Sequence, residues 1–102
     1  SAIPVSYGSS DVLKVAATFD FDRYIVSVVK FTGSYGYKDN LWELAIIDRE
    51  TQEFTDLPIE ELTYYPPKDV GIYGYLNDPD VDRILQGVQR YECQRNSNQV
   101  KQ

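Results

Sequence analysis

Histidine is absent from the sequence, and cysteine occurs once, at Cys93. Without histidine, the protein lacks the usual general base, the usual zinc ligand and the residue that activates a serine or cysteine nucleophile. A single cysteine cannot form an internal disulfide, so the fold does not depend on an oxidising compartment. Neither a G-x-x-x-x-G-K-[ST] nor a G-x-G-x-x-G phosphate loop occurs. We therefore expect a protein that is not an enzyme and carries no cofactor and no metal.

Long apolar segments are also missing. The longest run, residues 24–29, is interrupted by Ser27 and is far shorter than the ~20 residues that cross a bilayer. The first eleven residues lack the basic start and apolar stretch of a secretory signal. The length of 102 residues fits one domain. We expect a cytoplasmic protein that does not associate with membranes.

Basic residues are scarce in the middle of the chain. Residues 39–82 contain twelve acidic residues against Arg49 and Lys68, a formal net charge of −10, whereas the whole chain carries −6. Nucleic acids and anionic membranes bind proteins through lysine and arginine, so this segment disfavours direct binding to either. It favours a basic protein partner, which an acidic surface attracts at long range.

Four segments have the composition of strands. Residues 12–19 and 23–31 are rich in β-branched residues and are joined by a short polar turn. Residues 41–47 predict a third strand, and residues 53–57 could return as a fourth. Connections this short cannot form parallel crossovers, so the strands should form an antiparallel meander.

The clearest helix signal begins at Asp78. We interpret Asp78 as an N-cap followed by Pro79 at the first helical position. Apolar residues then recur at helical spacing on one face: Val81, Ile84, Leu85, Val88 and Tyr91. Between the strands and this helix, residues 56–62 predict a helical turn capped by Asp56.

These elements predict an α+β fold: a four- to five-stranded antiparallel meander sheet with one C-terminal amphipathic helix packed on a face. Residues 1–92 should form a single compact domain. Residues 93–102 lose the helical periodicity and are expected to form a frayed polar tail.

A short pattern occurs twice. Residues 33–40 read GSYGYKDN and residues 71–78 read GIYGYLND, so Gly-x-Tyr-Gly-Tyr recurs 38 positions apart. The first copy precedes a predicted strand and the second a helix, whereas a duplication should preserve its flanks. We therefore interpret the echo as shared turn chemistry, in which glycine permits positive φ and Asp or Asn bonds its own backbone.

Nine tyrosines are many for 102 residues. Two interpretations stay open: the rings cover the core with their hydroxyls in water, or they form a contact surface, where tyrosine is enriched. For the second we predict that both glycine–tyrosine stretches lie on one side of the domain, with neighbouring acids. The predicted partner-binding residues are Tyr35, Tyr37, Asp39, Glu60, Glu61, Tyr73, Tyr75, Asp78, Asp80 and Asp82.

The three aspartates 78, 80 and 82 match the first acid positions of a calcium loop. That loop requires glycine and glutamate where Arg83 and Gln89 stand, so we expect no calcium site.

Two functional hypotheses follow. The first is a non-enzymatic acidic interaction module; a specific form is an inhibitor, of viral or mobile-element origin, that mimics DNA and occupies the basic surface of a nucleic-acid-binding enzyme. Carboxylates on one face of a strand repeat about every 6.6 Å and can present an anionic row. The alternative is a sensor that binds a small molecule or peptide in a tyrosine-lined pocket. The oligomeric state is left open.

Overall fold

Six strands and one long helix make up the fold in the computed structural model, which describes residues 3–7 and 12–100. The elements are β1 (Ile3–Tyr7), β2 (Val12–Asp20), β3 (Tyr24–Phe31), β4 (Trp42–Asp48), β5 (Glu53–Phe54), β6 (Ile72–Leu76) and α1 (Asp78–Val100). Two short 3-10 turns span Tyr37–Asp39 and Glu60–Tyr64.

All strand pairs are antiparallel. β1 to β4 are neighbours in chain order, and the far edge of β4 pairs with both β5 and β6. β5 joins the end of β4, at Ile47 and Asp48, and β6 joins its beginning, from Trp42 to Ala45. The α+β class, the antiparallel meander and the C-terminal helix are confirmed, and β1 and β6 extend the predicted sheet.

The buried face of the sheet follows from strand alternation. Side chains of residues i and i+2 share a face, so Tyr24, Val26 and Val28 of β3 point to the same side and are buried. Leu44 and Ile46, on β4, lie opposite Val28 and Val26 and complete this layer. The intervening residues of both strands point to the other face, which is partly exposed.

Helix α1 covers the buried face through Val81, Ile84 and Val88, as the spacing predicted. Its N-cap is Asn77 and not Asp78. The side chain of Asn77 accepts a hydrogen bond from the Asp80 backbone N–H at 2.8 Å, while the Asp80 carboxylate accepts from the Asn77 N–H at 3.0 Å. This reciprocal pair satisfies two N–H groups at the helix start, which a cap at Asp78 would leave open.

The helix continues to Val100, through eight of the ten residues expected to fray; residues 101 and 102 lie outside the described residues. A polar residue of this segment contacts the sheet. Glu92 is 4% exposed, and its Oε2 accepts hydrogen bonds from the backbone N–H groups of Arg23 and Tyr24 at 2.5 and 2.8 Å. The apolar pattern stops at Tyr91 because a buried carboxylate takes the next position on that face.

The connection between β5 and β6 packs against α1 without forming a capped helical turn. Asp56 accepts hydrogen bonds from the Gly71 N–H and the Tyr73 hydroxyl instead of capping residues 57–62. The 3-10 turn packs closely on α1 at Gly87, where an added Cβ would lie 2.6 Å from Glu61 Oε1 and 2.9 Å from Ile59 Cδ1. A helix interior normally disfavours glycine, and this close approach explains its use here.

Candidate functional site

The two Gly-x-Tyr-Gly-Tyr stretches lie against each other. A Cβ added to Gly36 would be 2.9 Å from the Tyr75 Cα, and one added to Gly74 would be 2.3 Å from the Tyr35 Cβ. The Tyr75 N–H also donates a hydrogen bond to the Tyr35 carbonyl at 3.3 Å. The second glycine of each stretch thus makes room for a tyrosine of the other, so the echo reflects reciprocal packing as well as turn chemistry.

Tyr75 occupies an unusual backbone conformation. Trp42 pairs with Leu76 and Leu44 with Tyr73, so β6 has one residue more than β4 between these pairs and forms a bulge. Within it Tyr75 has φ of 59°, in the left-handed region that disfavours any residue with a side chain. The ring is nevertheless 50% exposed. The bulge therefore holds a tyrosine at the surface in a strained backbone conformation.

The exposed ring of Tyr75 borders a cleft of about 520 Å³, which we call the tyrosine cleft. Its lining residues are Thr32, Gly33, Ser34, Tyr35, Gly36, Tyr37, Lys38, Asp39 and Tyr75. Tyr35 is 45% exposed, and Lys68 Nζ lies 6.0 Å from its ring centroid and 4.9 Å from that of Tyr75. The lysine spans both aromatic faces at cation–π distance, which holds the two rings near one another.

Tyr73, the remaining tyrosine of the second stretch, belongs to the core. It is 2% exposed, and its hydroxyl donates to Asp56 Oδ1 at 2.5 Å. Burial, together with the hydrogen bond to this carboxylate, raises the pKa of the Tyr73 phenol above its usual value. Tyr73 is therefore inaccessible to a partner and cannot serve as the contact residue that the sequence suggested.

The three aspartates at the helix start have separate roles. Asp78 accepts a hydrogen bond from the Trp42 indole N–H at 2.7 Å. Asp80 closes the helix cap and also accepts from the Tyr65 hydroxyl at 2.8 Å. Asp82 is exposed and lines a second cleft, of about 380 Å³, beside Trp42. Of these three aspartates, only Asp82 has a carboxylate without a hydrogen bond to another described residue.

Neither Glu60 nor Glu61 lines the tyrosine cleft. Glu61 forms a bidentate pair with Arg90, with N–O distances of 2.6 and 2.8 Å. Arg90 stands twelve residues along α1 from Asp78, about 18 Å at the helical rise. The Arg90 guanidinium lowers the pKa of Glu61 to about 2, so the carboxylate stays ionised and its charge is balanced by Arg90. Glu60 is exposed, 3.4 Å from the Tyr64 hydroxyl.

The twelve acids of residues 39–82 differ in whether they are paired with an arginine. Four of them, Asp48, Glu50, Glu61 and Asp80, form ion pairs with arginine. Among the described residues the other eight have no cationic partner within 4 Å. The four ion pairs reduce the negative charge that this segment presents to a partner.

An exposed apolar cluster at β5 was missed by the sequence reasoning. Phe54 is 52% exposed and Val70 57% exposed, and both line a cleft of about 610 Å³. The remaining lining residues are Ile47, Gln52, Glu53, Asp69 and Ile72, and together these seven form what we call the Phe54 patch. The alternation of Glu53, Phe54 and Thr55 indicates a strand that places Phe54 on one face. It cannot show that this face stays exposed to solvent.

Groups that could hold a metal ion and helices that could span a membrane were looked for in the described part of the chain. No three His, Cys, Asp or Glu side chains there are grouped so that they could hold a metal ion. None of its helices combines the length and the apolar character that spanning a bilayer requires. Comparison with family models, curated proteins and solved structures gave no match, so the functional argument rests on this chain alone.

Proposed function

We propose that the protein is a non-enzymatic interaction module that contacts a basic partner protein through the tyrosine cleft. The observation that carries the proposal is Tyr75, a half-exposed aromatic residue held in left-handed backbone conformation by a bulge. Such strain is typical of functional sites, since glycine would fill the same position without steric strain. Tyrosine offers a large contact area with few rotatable bonds and is a frequent hot-spot residue.

The charge of the chain supports a basic partner. The acids outnumber lysine and arginine by six, and Asp39 lies in the cleft beside Tyr37. A negative surface raises the association rate with a positively charged protein, while the buried aromatic contacts slow dissociation. Lys68 already lies over both tyrosine faces, so a partner would use the ring edges, the hydroxyls and Asp39.

Inhibition of a nucleic-acid-binding enzyme is the narrower form of this proposal. A mimic of DNA presents free carboxylates at regular spacing along one surface, whereas four of the twelve acids of residues 39–82 are held in ion pairs with arginine. The general interaction module therefore has more support than the DNA mimic. Competition with duplex DNA for the captured partner separates the general module from the mimic. Duplex DNA should displace the protein from its partner only if the two occupy the same nucleic-acid-binding surface.

The non-enzymatic part of the proposal rests on the available functional groups. Cys93 is exposed on the outer side of α1, and the sequence has no histidine to activate it. The same exposed, unpaired thiol supports a reducing cytoplasm as the site of action.

A sensor for a small molecule is the second candidate, favoured by the size of the tyrosine cleft. About 520 Å³ lies within the range of small-molecule sites, and the hydroxyls of the exposed Tyr35 and Tyr75 are available to orient a ligand. A thermal-shift screen against metabolites and nucleotides tests it: a raised melting temperature that Tyr75→Gly abolishes would support the sensor, and the absence of any shift would remove it.

The interaction module is tested by capture with a matched variant. Wild-type protein and Tyr75→Gly, both shown to be folded, are used as bait at low and at high salt. We expect wild-type protein to retain a basic protein that is lost with Tyr75→Gly and weakened by salt. Equal capture by the two baits, or capture that salt does not affect, would contradict the proposal.

A further inference from the structure

The open face of the sheet carries its own exposed apolar surface. Five large hydrophobic side chains are exposed among those described: Tyr35, Phe54, Tyr64, Val70 and Tyr75. Phe54 and Val70 are the two that carry no hydroxyl, and both border the same cleft. Soluble domains seldom gather exposed apolar side chains without a use for them.

Strand register explains how the Phe54 patch is built. Ile47 of β4 pairs with Phe54 of β5, and Ala45 pairs with Ile72 of β6. Paired residues share a face, so Ile47, Phe54 and Ile72 all point away from α1. The two segments that flank β4 are therefore aligned with their apolar residues on the uncovered side.

Gly71 brings the loop that carries Val70 against the end of β5. A Cβ on Gly71 would lie 2.7 Å from both the N and the O of Thr55, and its φ is 71°. Its N–H also donates to the Asp56 carboxylate at 2.9 Å. Because only glycine permits this approach, the loop that carries Val70 is fixed beside β5. The cleft is thus a defined part of the fold.

The rim of the patch is acidic. Glu53 and Asp69 line it, together with Gln52, and no lysine or arginine does so. Within the described residues the Glu53 carboxylate forms no hydrogen bond or ion pair, and the Asp69 carboxylate accepts only from the neighbouring Val70 N–H, at 2.7 Å. Elsewhere at the sheet margin, Asp20 pairs with Arg49 and Asp48 with Arg23. The two carboxylates of the patch are free to meet an external cation.

We propose that the Phe54 patch is a second docking surface, which binds a segment of another protein bearing an apolar side chain flanked by lysine or arginine. An apolar centre inside a polar rim is the usual anatomy of a protein interface. Charge complementarity identifies the occupant: a second copy would bring Glu53 and Asp69 against acids of the same kind across a two-fold axis, and like charges repel.

The tyrosine cleft is a different site, so this inference does not rest on the function proposed above. The probe is a short acetylated and amidated peptide that alternates lysine with leucine, titrated into labelled protein and followed by backbone amide shifts. We expect the shifts to concentrate at residues 47, 52–54 and 69–72. Peptides with glutamate in place of lysine, or serine in place of leucine, should bind much more weakly.

Matched substitutions separate the patch from general acidity. Phe54→Ala is expected to weaken peptide binding about tenfold, while Tyr64→Ala, which removes an exposed ring elsewhere, leaves it unchanged. Glu53→Lys should weaken binding by a similar factor, whereas Asp22→Lys, with the same change in net charge, has an effect below about twofold. Tyr75→Gly should leave this binding intact even if it abolishes capture of the cleft's partner.

Three results would overturn the inference. Shifts spread over acidic residues across the whole surface, or equal effects of Glu53→Lys and Asp22→Lys, would show non-specific attraction. Absence of binding by the lysine–leucine peptide would remove the site. Self-association of Glu53→Ala or Asp69→Ala protein, with peptide binding unchanged, would show that these acids protect a sheet edge from other copies.

Discussion

Replacing Tyr75 by glycine and by alanine measures the strain in the bulge. Both changes remove the ring and its contact with Lys68, so their difference isolates the backbone. A side chain in the left-handed region costs about 1–2 kcal/mol, and glycine loses about 0.5–1 kcal/mol more conformational freedom than alanine on folding. Tyr75→Gly should therefore be more stable than Tyr75→Ala by about 1 kcal/mol.

Wild-type protein is expected to differ little from the glycine variant. The relief of backbone strain is offset by glycine's entropy and by the loss of a surface cation–π contact of about 0.5–1 kcal/mol. A tyrosine that adds no net stability where glycine would suffice is the expected mark of a residue retained for binding.

Urea unfolding followed by circular dichroism gives these free energies, and thermal melts should separate the two variants by about 4–8 °C. Tyr64 provides the control, since it is exposed and has an ordinary negative φ in a 3-10 turn. There the order should reverse, with glycine about 0.5–1 kcal/mol less stable than alanine. If the Tyr75→Ala variant proves as stable as the Tyr75→Gly variant, or more stable, the backbone at position 75 is not strained.

Three further predictions concern the contacts that support the site. Gly74→Ala should cost about 1–3 kcal/mol in unfolding free energy, because the new Cβ would lie 2.3 Å from the Tyr35 Cβ; an unchanged urea midpoint would mean that the stretches are not tightly packed. The pKa of Glu61 is lowered to about 2, so its ionised form stabilises the fold above about pH 4.5, the usual glutamate value, and that contribution is lost as the pH falls toward 2. Glu61→Gln should flatten the dependence of unfolding free energy on pH over that window, and an unaltered profile would contradict the Arg90 pair. Glu92→Ala leaves the Arg23 and Tyr24 N–H groups without an acceptor and should cost about 2–5 kcal/mol, whereas Glu92→Gln keeps an acceptor oxygen and should cost less than half as much; equal losses in urea titrations would show that the hydrogen bonds are not the cause.

The strands that sequence reasoning found are those whose pattern is local. β2, β3 and β4 alternate or are rich in β-branched residues, so their side chains alone mark them. β6 was missed because Gly71 and Gly74 resemble turn residues. Glycine is required at both positions by tertiary packing: Gly71 makes room for Thr55 and Gly74 for Tyr35. These contacts are distant in sequence, so no local pattern indicates them.

The end of the helix and the role of Asp56 could not be predicted for a related reason: their hydrogen-bond partners lie on other elements. Glu92 bonds Tyr24, which is 68 residues away in the sequence. Asp56 bonds Tyr73, which is 17 residues away. A polar residue without a visible partner is naturally assigned to solvent or to a local cap. The echo did indicate two stretches to compare, but only the structure separates the exposed Tyr75 from the buried Tyr73.

The most direct test of the interaction surface is a rate measurement. The protein retained by wild-type bait is passed over immobilised wild-type, Tyr75→Gly and Asp39→Lys proteins by surface plasmon resonance. The tyrosine cleft predicts a dissociation rate at least about tenfold faster for Tyr75→Gly with little change in association, and a slower, less salt-sensitive association for Asp39→Lys. Dissociation rates that are the same for wild-type protein and Tyr75→Gly would contradict the assignment of the cleft as the contact surface.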